Sequence, residues 1–311
     1  MSRRVLVTGA SGFVGRPLVD ALLGAGLAVR AAARNPGSLS LPPDCEPVAV
    51  ADFTRRVDWA PLVRGADAVV HLAGIAHVGP GVAADVYDQV NHRATADLAA
   101  ACMQAGVRRL VFLSSVRAQS GAAASGMLRE CDPAQPTEPY GRSKLAAEAA
   151  VRASGVPWTI LRPVMIYGPG AKGNLAQLMR LADTPLPLPL ARFVNRRSLL
   201  ALDNLIGAIG HVLGNERCAG KTYLVADPQA VTLAEIVSAL RQGLRRPERL
   251  FSLPPAWLAA ALKGLGRADV WERLGGSLVV DPAELITSGW HPCTDTRAGL
   301  AQLAEAENSR R

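Results

Sequence analysis

Cysteine is scarce and unpaired in this chain. The five residues Cys45, Cys102, Cys131, Cys218 and Cys293 are odd in number and far apart, and no Cys-x-x-Cys occurs. Neither a disulfide frame nor a zinc site is indicated, and reduced thiols in a cytoplasmic protein are the simplest expectation. The five histidines show no metal-ligand spacing, so no metal is expected. Basic residues outnumber acidic ones by 34 to 26, but they are scattered or paired, as in Arg3-Arg4, Arg108-Arg109 and Arg196-Arg197, with no long run. That pattern argues against a nucleic-acid partner and leaves a positively biased surface or a field that attracts a small anion. No membrane span is expected either: the apolar stretch 253–265 is too short and contains Lys263, and it reads as a buried or amphipathic helix. The first residues lead directly into a strand, so no secretion signal is expected. Internal repeats are absent.

What is present is apolar bulk, at 49% of 311 residues, enough for a sizeable core. Short apolar runs at residues 4–8, 27–33, 47–51, 66–72, 109–113 and 158–161 read as buried strands. Helical spacing separates them at 13–23, 83–104 and 140–153. Strands alternating with helices imply parallel βαβ units and an α/β, doubly wound sheet. After Pro163 glycine and proline become frequent, and the texture turns irregular. A helix at 203–213, a strand at 221–226 that could rejoin the sheet, and a capping box at Thr232 and Glu235 follow. Two parts are therefore expected, 1–162 and a smaller region 163–311 interleaved with the main sheet. The tail 304–311 is polar and is expected to fray.

The first strand opens into Thr8-Gly9-Ala10-Ser11-Gly12-Phe13-Val14-Gly15 and then a helix. A helix N-terminus offers free N–H groups and the positive end of a dipole, which suits a pyrophosphate. Gly9 permits a tight turn, Gly12 lets the backbone approach phosphates, and Gly15 lets the helix pack on the strand. At the end of the second strand an acid would favour NAD(H) and an arginine NADP(H). The chain has Arg34 there and no acid, which favours NADP(H) and leaves NAD(H) possible. Asp52, ending the third strand, is either a contact for the adenine edge or a loop acid.

Tyr140 and Lys144 lie four apart on an expected helix, hence on one face. A phenol is a weak acid with a pKa of about 10. A neighbouring ammonium favours the phenolate, so Lys144 could tune Tyr140 while holding ribose hydroxyls. Ser115, at the end of the fifth strand, could hydrogen-bond a reacting oxygen. Carboxyl ends of strands are where a doubly wound sheet places its ligand.

With these residues in view, the chain resembles the extended short-chain dehydrogenase/reductases, specifically their nucleotide-sugar epimerase, dehydratase and reductase branch, over nearly its whole length. The likeness rests on the glycine turn, His71-Leu72-Ala73-Gly74, Asn91, Phe112-Leu113-Ser114-Ser115, Tyr140-Gly141-Arg142-Ser143-Lys144, Leu161-Arg162-Pro163 and Tyr167-Gly168-Pro169-Gly170. It implies a Rossmann-type fold and a cofactor held by Gly9, Ser11, Gly12, Phe13, Val14, Gly15, Arg34, Asp52, Phe53, Leu72, Ala73, Gly74, Lys144 and Pro163. It also implies a nucleotide sugar, UDP-linked, contacted by Ser115, Tyr140, Asn174, Leu175 and Arg197, the guanidinium of Arg197 being suited to its two phosphates. Met165 departs from the asparagine that the family often has near the substrate diphosphate. Dehydratases of this branch carry Asp-Glu after the catalytic hydroxyl residue; Val116-Arg117 stands there instead, which argues against dehydration. Reduction of a UDP-4-keto-6-deoxy-N-acetyl sugar in surface-polysaccharide biosynthesis is then the expected activity. A UDP-sugar 4-epimerase with retained NAD is the alternative, and a non-catalytic dinucleotide sensor or scaffold is a second. A homodimer through the helices 83–104 and 140–153 is expected.

Overall fold

The computed structural model describes residues 3–38, 41–76, 82–171, 173–254 and 276–309, with Trp257 and Gly264 besides. The helix expected over 253–265 lies for the most part outside the described residues.

Seven strands make one parallel sheet: β1 (Arg4–Thr8), β2 (Ala28–Ala33), β3 (Cys45–Ala49), β4 (Ala68–His71), β5 (Arg109–Leu113), β7 (Trp158–Pro163) and β11 (Lys221–Val225). Their order is β11-β7-β5-β4-β1-β2-β3. Short pairs add β6 (Met127–Leu128) with β13 (Val279–Val280), β8 (Met165–Tyr167) with β10 (Leu199–Ala201), and β9 (Arg196–Arg197) with β12 (Val231–Thr232). β3 starts two residues earlier than the expected strand, because Cys45 already pairs with Val29.

The central strands are apolar on successive residues because both faces are covered. Val5 and Val7 point to one side, against Leu18 and Leu22 of α1 (Gly15–Gly24) and Leu205, Ile209 and Val212 of α7 (Leu202–Gly214). Leu6, Val69 and Leu110 point to the other. There they meet Leu98 and Cys102 of α4 (Ala94–Gln104) and Ala147 and Val151 of α5 (Pro139–Ala153), with Leu62 and Val63 of α2 (Ala60–Val63) beside them. The long helix expected over 83–104 is interrupted: α3 (Ala84–Tyr87) runs into π-helical turns at Asp88–Arg93 before α4 begins. Such turns recur at functional sites, and Asn91 lies within this one.

Residues after Pro163 serve both parts. α7 and β11 complete the main sheet and its cover. A third core, including Leu175, Met179, Leu199, Ile236, Leu240, Leu300 and Leu303, joins α6 (Asn174–Asp183), α8 (Leu233–Gly243) and a C-terminal helix, with α9 (Ala283–Thr287) packed against β11. The capping box is present: Thr232 Oγ1 accepts from Glu235 N at 3.2 Å, and Glu235 Oε2 accepts from Thr232 N at 2.8 Å. Of the tail 304–311 that was expected to fray, residues 304–308 are helical, and 310–311 lie outside the described residues. α10 (Thr296–Asn308) is capped by Asp295, which accepts from Arg297 N at 2.9 Å, and it buries Leu300, Leu303 and Ala304 against α8. Its apolar residues fall at helical spacing, so one face is buried although the segment is polar on average.

Candidate active site

β1 ends at Thr8, and the chain turns through Gly9-Ala10-Ser11-Gly12. Gly9 has φ +72°, and a Cβ there would lie 2.9 Å from the backbone N of Ala73. Gly15 is more confined: its Cβ would lie 2.1 Å from the Gly9 carbonyl oxygen and 2.7 Å from Ala10 Cα. Gly15 therefore seats α1 on the turn itself, not on the strand. The helix begins with no capping side chain and no acid in its first turn. Its leading N–H groups and positive dipole end are left for an anion.

A cleft of about 450 Å³ opens beside this turn, lined among others by Gly9, Ser11, Gly12, Arg34, Asp52, Phe53, Leu72, Ala73 and Gly74. It lies at the carboxyl ends of β1, β2 and β4, where the strand order reverses, the usual ligand site of such sheets. An uncapped helix start, a glycine cradle and an apolar wall fit a dinucleotide. Arg34 Nη1 stands 3.5 Å from Asp52 Oδ2, both well exposed. Asp52 Oδ1 accepts from Thr54 N at 2.8 Å, and that bond, with the Arg34 charge, holds its carboxyl below the usual range. Asp52 is thus a loop acid that also lines the cleft. Arg34→Ala is expected to weaken NADPH about tenfold while leaving NADH nearly unchanged, the loss of one exposed charge-assisted contact; fluorescence titration with both dinucleotides checks it. Phe13 packs on the first core, Val14 is buried, and Pro163 is buried at the end of β7. None of the three, nor Gly15, lines the cleft. A larger cleft, about 910 Å³, lies at the opposite, amino edge of the sheet. Three of its arginines have structural partners: Arg3 donates to Leu213 O at 2.8 Å, Arg108 pairs with Asp67, and Arg109 donates to Thr159 Oγ1 at 3.1 Å.

A buried relay ties the cleft to the helix that carries Tyr140. Ala73 N donates to Thr8 Oγ1 (3.3 Å), which bonds His71 Nδ1 (2.7 Å); His71 Nε2 bonds Thr95 Oγ1 (3.0 Å), which donates to Asn91 O (2.6 Å). Thr95 spends its proton on Asn91, so it accepts from His71 Nε2–H, and Nδ1 accepts from Thr8. Asn91 accepts from Ile75 N at 2.8 Å and donates to Ser143 Oγ at 3.1 Å. Burial pushes the His71 pKa down to about 3, helped by the Lys144 charge. The unfolded chain binds the proton near the ordinary value of 6.5, so this group's stabilisation is complete above that value and is lost as pH falls towards 3. Between pH 7 and 5 the loss is about 2 kcal/mol. His71→Gln is expected to flatten the stability–pH curve by that amount, measured as urea unfolding at the two pH values.

Tyr140 stands in the first turn of α5, its ring 6.0 Å from that of Tyr87. Burial pushes the phenol's pKa above its ordinary value; the hydrogen bond to Ser115 and the charge of Arg117 pull the other way. Ser115 Oγ accepts from Arg117 N at 3.2 Å and is hydrogen-bonded to the phenol. Lys144 was expected to lower the phenol's pKa; one of its three donors is used on β5. It donates to Leu113 O at 2.9 Å and lies 4.8 Å from the centre of the Phe112 ring. Burial pushes its pKa down to about 8, and Glu148 opposes the shift. One turn further, the fully buried Glu148 accepts from Arg162 at 2.8 and 2.6 Å, from Ser114 Oγ at 2.6 Å and from Arg152 at 2.8 Å. Burial pushes its carboxyl up, but the bonds and charge of Arg162, with Ser114 and Arg152, outweigh that and hold it below its ordinary value.

Arg197 lies on β9, half-buried; desolvation and then the Arg117 charge lower its pKa. Asn174 is the first residue of α6. Leu175 is only 3% exposed, inside the third core. Its side chain fills that core, so an expected substrate contact there would come from the backbone of the first turn of α6. Thr8, Thr95, Glu148 and Arg117 were not expected in the site. A lone His71 closing an apolar strand, and an acid at the turn after Lys144, were the available signals.

Fold and site together define a Rossmann-type, NAD(P)-dependent enzyme. The chain belongs to the NAD dependent epimerase/dehydratase family, whose model matches residues 5–226. It is 33% identical to a UDP-glucose 4-epimerase of Vibrio cholerae, over 98% of this chain and 96% of that one. It is 30% identical to a (4-alkanoyl-5-oxo-2,5-dihydrofuran-3-yl)methyl phosphate reductase of Streptomyces griseus subsp. griseus, over 97% and 98% of the two chains. Among solved structures it resembles MoeE5 in complex with UDP-glucuronic acid and NAD, with a TM-score of 0.77, 27% identity, and 99% and 100% of the chains covered. Among the described residues no group of His, Cys, Asp and Glu could hold a metal, and no helix is long and apolar enough to cross a membrane.

Proposed function

We propose that this enzyme performs oxidoreduction at C4 of a UDP-sugar, reducing a UDP-4-keto-6-deoxy-N-acetyl sugar with NADPH for surface-polysaccharide biosynthesis. The observation that carries the reading is a phenol that holds its proton at neutral pH beside a hydroxyl, at the cofactor edge of the sheet. The nicotinamide, when bound, supplies the hydride. Tyr140 gives its proton to O4 as negative charge develops there. Ser115, whose Oγ is fixed by Arg117 N, orients that oxygen. Lys144 is placed to hold ribose hydroxyls, Arg197 to pair with the diphosphate, and the head of α6 at Asn174 to offer it N–H groups.

The Vibrio cholerae relative favours a second reading, UDP-sugar 4-epimerisation with retained NAD, in which Tyr140 first takes the O4 proton and later returns it. Dehydration is disfavoured because Val116 is buried and Arg117 brings a cation where that chemistry uses acids. A homodimer through α4 and α5 accompanies either reading.

The deciding experiment is to denature the purified protein and assay released nicotinamide, then add UDP-sugars. A site that copurifies empty, with NADPH consumed on adding a 4-keto UDP-sugar, supports reduction. Retained NAD with inversion at C4 by NMR supports epimerisation. No change in NADPH absorbance and no new epimer with any UDP-sugar overturns both.

A further inference from the structure

Two arginine pairs far apart in the sequence, Arg3-Arg4 and Arg108-Arg109, meet at the amino edge of the sheet, away from Tyr140 and the cofactor cleft. Strand order brings them together. β4 lies between β1 and β5, with Val5 beside Ala68 and Ala68 beside Arg109. The heads of β1 and β5 are therefore about 10 Å apart, two strand spacings. All four arginines line the cleft of about 910 Å³ there, and so do Asp67 and Glu216. Four guanidiniums against two carboxylates leave the lining with two positive charges in excess.

The four are held in different ways. Arg109 is 5% exposed; its Nη1 donates to Thr159 Oγ1, and its Nε has no partner among the described residues. Burial lowers its pKa; the Arg3 charge does too, while Cys218 and Glu216 pull the other way. Arg3 uses one donor, on Leu213 O at 2.8 Å, so two like charges stand near enough to repel in the inner part of the cleft. On the rim Arg108 pairs with Asp67, whose other oxygen accepts from Arg4 N at 2.8 Å. The Arg4 guanidinium is exposed and has no hydrogen bond or ion pair among the described residues. A guanidinium carries five N–H donors, so most of the donors in this cleft are uncommitted. A buried cation with an incomplete set of partners gains from an anion beside it.

We propose that this cleft is a second ligand site, separate from the cofactor cleft, and that it takes a small molecule or ion carrying two or more linked phosphates. Linked phosphates concentrate charge and acceptor oxygens, and guanidinium forks engage them two bonds at a time. The cleft has the volume of a small-molecule pocket, more than a single phosphate needs. Its cations line a hollow and not a flat face, which suits a compact polyanion better than a bilayer or a duplex. The pyrophosphate seat at Gly9 and Gly12 lies at the other end of β1, so the two sites do not compete.

The test is calorimetric titration of the full-length protein with inorganic triphosphate, at about 0.15 M salt and with NADPH saturating the cofactor cleft. Arg4→Gln and Arg108→Gln, both on exposed side chains, are each expected to weaken binding about tenfold. Glu216→Gln, also exposed, is expected to tighten it about threefold by removing a negative charge, a gain that a structural defect would not produce. Inorganic phosphate is expected to bind about tenfold more weakly than triphosphate. Adenosine triphosphate in place of the inorganic ion separates the sources. A clear gain in affinity shows that the ligand carries a nucleoside, and equal affinity shows that free polyphosphate suffices. The proposal is overturned if triphosphate does not bind, whether or not anionic phosphatidylglycerol vesicles do. It is overturned equally if phosphate binds as well as triphosphate, or if the double arginine variant stays within about twofold of wild type, which would place the ion elsewhere.

Discussion

Tyr140→Phe is expected to lower kcat about 10³-fold while leaving cofactor affinity within about twofold, the range for losing a positioned general acid. The ring stays and keeps its contact with Tyr87; only the hydroxyl bonded to Ser115 goes. The alkoxide forming at O4 then has no proton donor of matched acidity and must wait for water in a closed site. Ser115→Ala is expected to cost less, about 10–100-fold, because it removes orientation and one hydrogen bond but not the proton. Stopped-flow NADPH oxidation under single turnover measures the hydride step directly. A loss below about tenfold in Tyr140→Phe means that the proton comes from elsewhere, and the assignment fails. A dinucleotide sensor would be untouched by either change.

Strands buried on both faces advertise themselves: the runs at β1, β4, β5 and β7 are apolar on successive residues, and the sheet they form is the expected parallel one. The glycine turn was equally legible, since only glycine tolerates the approach of Gly15 to the Gly9 carbonyl oxygen. Less visible was anything that depends on where side-chain charge ends up in three dimensions. Spacing placed Lys144 on the same face as Tyr140, but spacing could not show that β5 presents the Leu113 carbonyl to its ammonium. Arg117 was noticed only as the absence of an acid. Leu175 matched a substrate motif, yet its side chain is apolar and the nearest apolar volume is the core beneath α6. The helix interruption at Asp88–Arg93 was hidden because apolar periodicity continues through it.

Glu148→Gln is expected to carry the largest stability cost, about 3–5 kcal/mol. The carboxylate is fully buried and answers Arg162 on two bonds, with Ser114 and Arg152 on the remaining lone pairs. Gln keeps the shape and one acceptor but leaves the Arg162 guanidinium and the Lys144 ammonium buried without a counter-charge. Lys144 is then pushed further down from about 8, so a larger share of it is neutral at working pH and activity falls with stability. The pH dependence has a definite sign. Glu148 is held below its ordinary value of 4.5, so its contribution is complete above that value and is lost as pH falls through the folded value. Wild type and variant should therefore differ most near pH 7 and converge in acid. Replacing Arg162 by Met in the same background removes the stranded cation, and at least half of the lost stability should return, since an apolar pair of similar volume is often as stable as a buried ion pair. Urea unfolding of the single and double variants from about pH 7 down to about pH 3, past the ordinary carboxylate value of about 4.3, gives the coupling directly. A single-variant cost below about 1 kcal/mol would mean that water reaches the pair, and Lys144 would then need another source for its charge.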